Sequence, residues 1–236
     1  MMVTDFHSHI LPGLDDGSSS IEMSIEMLKA EAAQGVTHVV ATPHFYPQSD
    51  SPERFLEKRA RAEERLRQEM AKHEGMPQLT VGAEVYYFGA ISESDILPGL
   101  TIGENRCILI EMPNMVWSDG MYRELAGIYE KQGLVPIIAH VDRYISPFHM
   151  NGIPEKLEEL PVYVQANAAS FLRWNTRHMM LRLLRHGQIH LLGSDCHDMG
   201  DRSPNLSDAV KQIRKSLGEE AIEHIKCCED ELLFGV

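Results

Sequence analysis

Val3-Thr4-Asp5-Phe6-His7-Ser8-His9, with Asp15-Asp16-Gly17 close behind, joins a short extended segment to two imidazoles and several carboxylates. Val3–His7 reads as a β-strand. A strand places residues i, i+2 and i+4 on one face, so Asp5, His7 and His9 are expected to point the same way. Two imidazoles on one face at a strand end suit a borderline divalent ion. A nearby carboxylate can orient the ring or bridge to a second ion. A His-x-His pair also arises by chance, so the remaining ligands have to come from elsewhere in the chain.

Outward from that stretch, short apolar runs alternate with helical patterns. Ser18–Ser20 can cap a helix whose Ile21, Ile25, Leu28 and Ala32 form one stripe, with Gly35 ending it. Thr37–Thr42 is a second strand. Ser51-Pro52-Glu53 starts a charged helix, proline at its first position, that runs to Gly75. Leu79–Val85, Cys107–Glu111, Leu134–His140, Val162–Ala166 and Ile189–Asp195 are further strands. Helices are expected at Asp119–Gln132, Asn175–His186 and Ser203–Leu217, with a short one near Pro154–Leu160, and Tyr86–Arg106 reads as a long connection. About seven strands interleaved with helices make an α/β chain with a parallel sheet. The strands are apolar almost throughout, as expected when both faces are covered. This pattern suits a small or incomplete β/α barrel better than an open sheet. No linker or internal repeat divides residues 1–236, which read as a single domain.

Placed on that map, the metal-type residues fall at strand ends. His7 and His9 follow the first strand, and Asp16 lies in the loop after it. His44 ends the second, Glu84 the third, Glu111 the fourth and His140 the fifth. Asp195 and His197 end the seventh. In α/β folds the carboxyl ends of the strands form the functional face. One such residue is ordinarily a cap or loop residue. Five histidines and four carboxylates exceed the roughly four to six donors of one ion, so two or three ions sharing carboxylate bridges are expected. Arg143, three residues past His140, is placed to act in the site. Asp5 is expected to support the ligands from behind. Asn167 and Ser170 either line the pocket or cap the next helix.

The net charge is −13, which disfavours nucleic acid and anionic membrane surfaces as partners. An anionic substrate would need a local positive centre, which bound ions and a few arginines could provide. No run of 18 apolar residues spans a membrane, and no secretory leader opens the chain. Cys107, Cys196, Cys227 and Cys228 lack zinc-ribbon spacing and suit a reducing, cytoplasmic compartment.

Taken together, His7-x-His9, Asp16-Gly17, Thr42-Pro43-His44, Glu84, Glu111, His140 and Asp195-x-His197 resemble the polymerase and histidinol phosphatase (PHP) superfamily. His7-Ser8-His9-Ile10-Leu11-Pro12-Gly13-Leu14-Asp15-Asp16-Gly17 is similar to the opening of bacterial metal-dependent protein-tyrosine phosphatases linked to capsule and exopolysaccharide synthesis. Ile108-Leu109-Ile110-Glu111, His140-x-x-Arg143-Tyr144 and Gln165-x-Asn167-Ala168-x-Ser170 match that family as well. The resemblance implies a distorted (β/α)7 TIM-like barrel carrying three divalent ions, manganese first, with iron, zinc, cobalt or magnesium as alternatives. His7, His9, Glu84 and Asp195 would hold one ion. Glu84 would bridge to a second with Glu111 and His140, and Asp16, His44 and His197 would hold the third. Arg143 and Arg202 match the family's phosphate-contacting arginines. The implied substrate is a phosphotyrosyl protein such as the tail of a bacterial tyrosine kinase, and the assembly is compatible with a homo-oligomer. The alternative is a small-molecule phosphatase of the same superfamily, acting on a compound like histidinol phosphate.

Such a cluster would activate a hydroxide for attack on phosphorus, while the arginines spread the transition-state charge. Phenol, with a pKa of about 10, leaves without a strong general acid; Asp198 or an ion-bound water are candidates. After His44 the chain reads Phe45-Tyr46-Pro47, where many members carry a more basic stretch. Cys196 and Arg202 have the Cys-x5-Arg spacing of cysteine-dependent phosphatases. Here Asp195 precedes the cysteine and two more aspartates follow it, which would raise the thiol pKa and repel phosphate, so the spacing is read as coincidence.

Overall fold

Asp5–Ser8 (β1), His38–Ala41 (β2), His44–Phe45 (β3), Gln78–Val81 (β4), Glu84–Tyr86 (β5), Cys107–Glu111 (β6), Val135–Ile138 (β7), Tyr163–Asn167 (β8) and Leu191–Gly193 (β9) are the strands of the computed structural model. The helices are Ile21–Ala33 (α1), Pro52–Met70 (α2), Asp119–Gln132 (α3), Ile153–Glu158 (α4), Ala168–Leu172 (α5), Arg177–Arg185 (α6), Leu206–Leu217 (α7) and Glu220–Phe234 (α8). The structure describes residues 3–145 and 152–235, and the remaining positions of the expected 1–236 domain lie outside the described residues. Every strand pairing is parallel: β1-β2-β4 form one run and β3-β5-β6-β7-β8-β9 the other, an α/β fold with a curled parallel sheet. Beyond the named strands, Ser8 bridges Cys196 in parallel, and Asp195 N–H donates to the His7 carbonyl at 2.8 Å. The first and last strands therefore meet at their carboxyl ends.

One expected strand ends early and another is broken in two. Thr37–Thr42 stops at Ala41 because Pro43 has no N–H to continue the ladder, and His44 resumes on the other run beside Glu84. Leu79–Val85 breaks at Gly82-Ala83, where Gly82 N–H still reaches the Ala41 carbonyl but Glu84 N–H donates to Pro43. The break steps the sheet outward at the very residues that end in His44 and Glu84. The connection Tyr86–Arg106 contains 3-10 turns at Ile91–Glu93 and Leu97–Leu100, and their Ile91, Leu97 and Leu100 are fully buried. The expected helix Asn175–His186 is the shorter α6, preceded by a separate α5.

Helix starts follow side-chain chemistry. The Ser20 hydroxyl accepts from Met23 N–H at 3.3 Å, and the Ser51 hydroxyl accepts from Arg54 N–H at 3.3 Å. Strand residues alternate between two apolar layers. Phe6, Val40, Leu109, Ile137 and Leu191 gather in an inner cluster, whereas Val39, Ile108, Ile110, Ile138 and Leu192 pack outward under the helices. Helix α8 is absent from the sequence expectations, yet its Cys228, Leu232 and Leu233 pack on the inner cluster. Its apolar stripe was masked by Glu229, a buried acid on the same helix.

The alternation fails at one place that matters. The register of β1 against β2 slips between Asp5 and Ser8, a bulge that inserts one extra residue. Asp5, His7 and His9 consequently do not share one face as expected. The Asp5 carboxylate accepts from Ser194 N–H at 2.7 Å and lies within 4.8 Å of Glu31 and Cys196, whereas His7 and His9 meet Glu84. Gly193 allows the tight approach opposite, since a Cβ there would come within 2.5 Å of the His7 Cβ.

Glu229 ties α8 to the start of β1, its Oε2 accepting from Thr4 N–H at 2.9 Å. Burial pushes its pKa up to about 8, from an ordinary value of 4.5. The folded protein keeps this proton to a higher pH than the unfolded chain. The group's contribution is thus full below about pH 4.5 and is lost as pH rises through about 8. Glu229→Gln retains an acceptor for Thr4 and removes the titration. Its melting temperature relative to the parent should therefore climb across that window and level off above it, measured by thermal denaturation at a series of pH values.

Candidate metal centre

Glu84, fully buried at the start of β5, lies at the middle of the strand-end face. Its Oε2 is 3.2 Å from His7 Nε2, 3.2 Å from His9 Nε2 and 3.0 Å from His44 Nδ1, and its Oε1 is 2.7 Å from His140 Nε2. Asp195 Oδ1 approaches His9 Nε2 at 3.4 Å and His7 Nε2 at 3.6 Å. Glu111 Oε2 is 3.6 Å from His44 Nδ1, and Asp16 Oδ1 lies 3.6 Å from His44 Nε2 and 3.5 Å from His197 Nε2. All nine residues singled out as ligands come together.

Donor atoms within 4.8 Å of one another form three groups here: His9, Asp16, His44 and His197; His7, His9 and Asp195; and His44, Glu84 and Glu111. The grouping differs from the one the resemblance implies. His9 also belongs with Asp16 and His197, and His44 joins Glu84 and Glu111. The side chains fit divalent ions in a way protein hydrogen bonds do not explain. His44 Nδ1, Glu111 Oε2 and His197 Nε2 are buried with no hydrogen-bond partner, and His7 Nε2 faces His9 Nε2 at 3.1 Å. Mixed imidazole and carboxylate donors suit borderline ions such as manganese, iron, cobalt and zinc.

The outer ring nitrogens explain why the inner ones face inward. His7 Nδ1 meets Gln165 Oε1 at 3.2 Å, His9 Nδ1 meets Asp15 Oδ2 at 2.7 Å, His140 Nδ1 meets the Tyr144 hydroxyl at 3.2 Å, and His197 Nδ1 meets the Asp195 carbonyl at 2.9 Å. A proton donated outward from Nδ1 leaves Nε2 bare toward the centre, the tautomer a metal ligand needs. Gln165 Oε1 also accepts from His140 N–H at 2.6 Å, and Asp15 Oδ2 from His44 N–H at 2.9 Å. Gln165, Asp15 and Tyr144 were given no such role from sequence. Their signal was positional: Asp15 adjoins Asp16, Tyr144 follows Arg143, and Gln165 lies two residues before Asn167.

Electrostatics follow from burial in a crowded carboxylate set. Burial works against a charged Glu84, but His7, His140 and His44 outweigh it and hold the carboxyl well below its usual range. Asp195 is likewise held low, with His7, His9 and Arg143 overcoming its burial. Burial disfavours charge on His9, yet Asp15, Asp195 and Glu84 raise its pKa well above normal. His197 is pushed down to about 4 by burial and by His9, so its ring is neutral and its lone pair free to bind. The site thus gathers positive charge around fixed anions, a demand divalent cations meet.

Both arginines converge on Asp195. Arg143 Nη2 donates to Asp195 Oδ2, and Arg202 Nη2 donates to Asp195 Oδ1 at 3.0 Å. Asn167 Nδ2 donates to the same carboxylate at 2.9 Å. Arg143 and Arg202, with Asn167 and Asp142, line a cavity of about 200 Å³ beside the centre.

The sequence profile for capsular polysaccharide synthesis, CpsB/CapC, matches residues 3–234. The chain belongs to the CpsB/CapC family. It is 30% identical over 235 residues to the putative tyrosine-protein phosphatase CapC of Staphylococcus aureus, covering 95% of this chain and 89% of that protein. It is 27% identical over 227 residues to the tyrosine-protein phosphatase CpsB of Streptococcus agalactiae serotype III, covering 92% and 91%. YwqE of Bacillus subtilis, also a tyrosine-protein phosphatase, is 27% identical over 227 residues, with 92% and 85% covered. In three dimensions the chain superposes on a structure from the work on YwqE of Bacillus subtilis and CpsB of Streptococcus pneumoniae, described as unique metal-dependent tyrosine phosphatases. The TM-score is 0.83 at 24% identity, with 98% of this chain and 94% of that one covered. A dihydropyrimidinase from Brevibacillus agri shares the fold more distantly, at TM-score 0.54 and 12% identity, with 95% and 68% covered.

Within this CpsB/CapC chain the remaining singled-out residues take distinct places. Cys196 is buried; burial, Asp5 and Glu31 raise its thiol pKa well above normal, so no thiolate is available. Arg202, its partner in the Cys-x5-Arg spacing, is engaged with Asp195 instead. Asp5 accepts from His7 N–H at 3.3 Å and from the Ser194 hydroxyl at 2.5 Å, bracing both sides of the site from behind. Asp198 accepts from Gly200 and Arg202 N–H, at 2.6 and 3.1 Å, and so shapes the Arg202 turn. Ser170 donates to the Asn167 carbonyl at 2.6 Å at the head of α5, while Asn167 faces Asp195. Gln165→Leu removes the acceptor shared by His7 and His140. Metal affinity, read by competition with a chelator, should fall about 10- to 100-fold, with the far-ultraviolet circular dichroism unchanged.

Proposed function

We propose that this chain is a metal-dependent protein-tyrosine phosphatase acting on a phosphotyrosyl protein. The proposed substrate is the tail of a bacterial tyrosine kinase that regulates capsule or exopolysaccharide synthesis, and the proposed compartment is the cytoplasm. The observation that carries the reading is the convergence of nine imidazole and carboxylate side chains on one strand-end face, with two arginines beside them, in a CpsB/CapC chain whose relatives are named tyrosine phosphatases. We take the curled sheet to be the distorted seven-unit barrel of the PHP type, formed by a single domain. Three ions, with manganese first among the candidates, would be held by His7, His9, Asp16, His44, Glu84, Glu111, His140, Asp195 and His197.

Divalent ions in such a site supply a nucleophile at neutral pH and neutralise phosphate charge. The chain's own residues do the rest. Asp15, Gln165 and Tyr144 hold imidazole orientation, so the inner nitrogens need no rearrangement. Arg143 and Arg202 present forked donors at the mouth, where a phosphoryl group would take over part of their hydrogen bonding from Asp195. Their charge offsets, locally, a surface that is acidic overall. No helix among the described residues is long and apolar enough to cross a membrane.

Protein reloaded with Mn²⁺ should release phosphate from a phosphotyrosyl peptide. A chelator should abolish the release, and renewed Mn²⁺ should restore it. Full activity after complete metal removal overturns the reading; hydrolysis of histidinol phosphate without action on the peptide replaces it with the small-molecule alternative. Arg143→Ala should lower kcat/KM about 100-fold. Cys196→Ser, by contrast, should retain most of the phosphate release, since a thiol of that pKa has no nucleophilic part.

A further inference from the structure

A second cavity, of about 300 Å³, opens from the other side of the centre, with Asp15, Asp16 and His44 forming its inner end. Its walls are unlike those of the arginine cavity. Leu14, Tyr46 and Phe55 supply apolar and aromatic surface, and the charged groups farther out, Lys58 and Asp50, are paired with each other at 2.7 Å. Phe55 is 3% exposed and belongs to the core, but Tyr46 is 38% exposed. The Tyr46 ring stacks on His44, with centroids 5.0 Å apart and planes at 27°, and Tyr86 supports it at 5.6 Å.

We propose that Tyr46 is a specificity-determining residue: with Leu14 and Phe55 it seats the aromatic ring of the leaving group and so favours aryl over alkyl phosphates. The inference rests on the phosphatase reading above and names what that reading leaves open, the residue that selects the substrate class. Arg202 lines the arginine cavity with its Nη2 on Asp195, and its Nη1 lies 3.8 Å from the Oδ2 of Asp16, which lines the Tyr46 cavity. A phosphoryl group held there by guanidinium donors has two directions for its ester substituent. Among the described residues the arginine cavity also carries Asp142, Asp195 and Asp201 and no aromatic ring, which suits an ionic group. The Tyr46 cavity carries a neutral ring face and a self-neutralised ion pair, which suit a phenyl group.

The test is calorimetric binding of phenylphosphonate and methylphosphonate to the Mn²⁺-loaded protein. Both probes present the same anionic head and resist hydrolysis, so their affinity ratio isolates the ring. The parent should prefer phenylphosphonate, Tyr46→Phe should keep that preference, and Tyr46→Ala should reduce the ratio about three- to tenfold. Because the ratio is taken within each variant, partial loss of metal or of folded protein cancels. An unchanged ratio in Tyr46→Ala overturns the proposal, as does a Tyr46→Phe variant that loses as much as Tyr46→Ala. If the ratio behaves as expected but the parent releases no phosphate from a phosphotyrosyl peptide, the ring site stands and the phosphatase reading falls. If the parent hydrolyses the peptide but Tyr46→Ala keeps the parent's ratio, the phosphatase reading stands and the ring site falls.

Discussion

One buried carboxylate, Glu84, faces imidazole nitrogens of His7, His9, His44 and His140 at distances of 2.7 to 3.2 Å. An isolated ionised carboxylate in a protein interior is strongly unfavourable, and it persists only where positive charge surrounds it. Much of the architecture serves that condition. The sheet breaks at Pro43 and Gly82 so that β3 and β5 can bring His44 and Glu84 side by side. His140 and Asp195 adopt left-handed backbone conformations, with φ of 32° and 53°, which ordinary residues avoid. Each is pinned by a hydrogen bond: His140 N–H to Gln165, and Asp195 N–H to the His7 carbonyl. The left-handed positions thus include two residues of the ligand set, His140 set against Glu84 and Asp195 against His7 and His9.

The same condition explains how a chain of net charge −13 can present a centre for an anionic substrate. Long-range attraction is absent, so the positive charge must be local. Arg143 and Arg202 provide part of it, both anchored on Asp195, and the imidazole and carboxylate set provides places for cations. The neighbouring surfaces then divide the labour. One cavity is rich in guanidinium groups, and the other has an aromatic wall around Tyr46. Cys196 shows how spacing can mislead: its thiol is buried against Asp5 and Glu31, and the arginine at the end of the Cys-x5-Arg spacing turns to Asp195.

Much of the site was legible because residue type and strand end coincide. His44, Glu84, Glu111 and His140 each terminate an apolar run, and a parallel sheet collects such termini on one face. Helix starts at Ser20 and Ser51 were legible for an equally local reason, since a hydroxyl caps the first turn wherever it stands. Asp5 supports the ligands from behind as expected, but it leaves the face of His7 and His9 because a bulge in β1 breaks the two-residue alternation, and a bulge depends on the partner strand. Helix α8 escaped notice because the buried Glu229 interrupts its apolar stripe; one oxygen of that acid accepts from Thr4 N–H, far away in sequence.

The parallel α/β class, the set of side chains able to bind ions and the element ends at which they stand could all be read from the chain alone. These follow from short-range rules of pattern, capping and alternation. Folding in three dimensions selected which of those donors share an ion-sized space, seated His9 with Asp16 and His197, and set Asp15, Gln165 and Tyr144 to fix the ring orientations. It also decided that Tyr46 faces a cavity rather than solvent alone. Orientation and proximity across separate strands depend on register, bulges and backbone strain. These arise only when the strands are packed together.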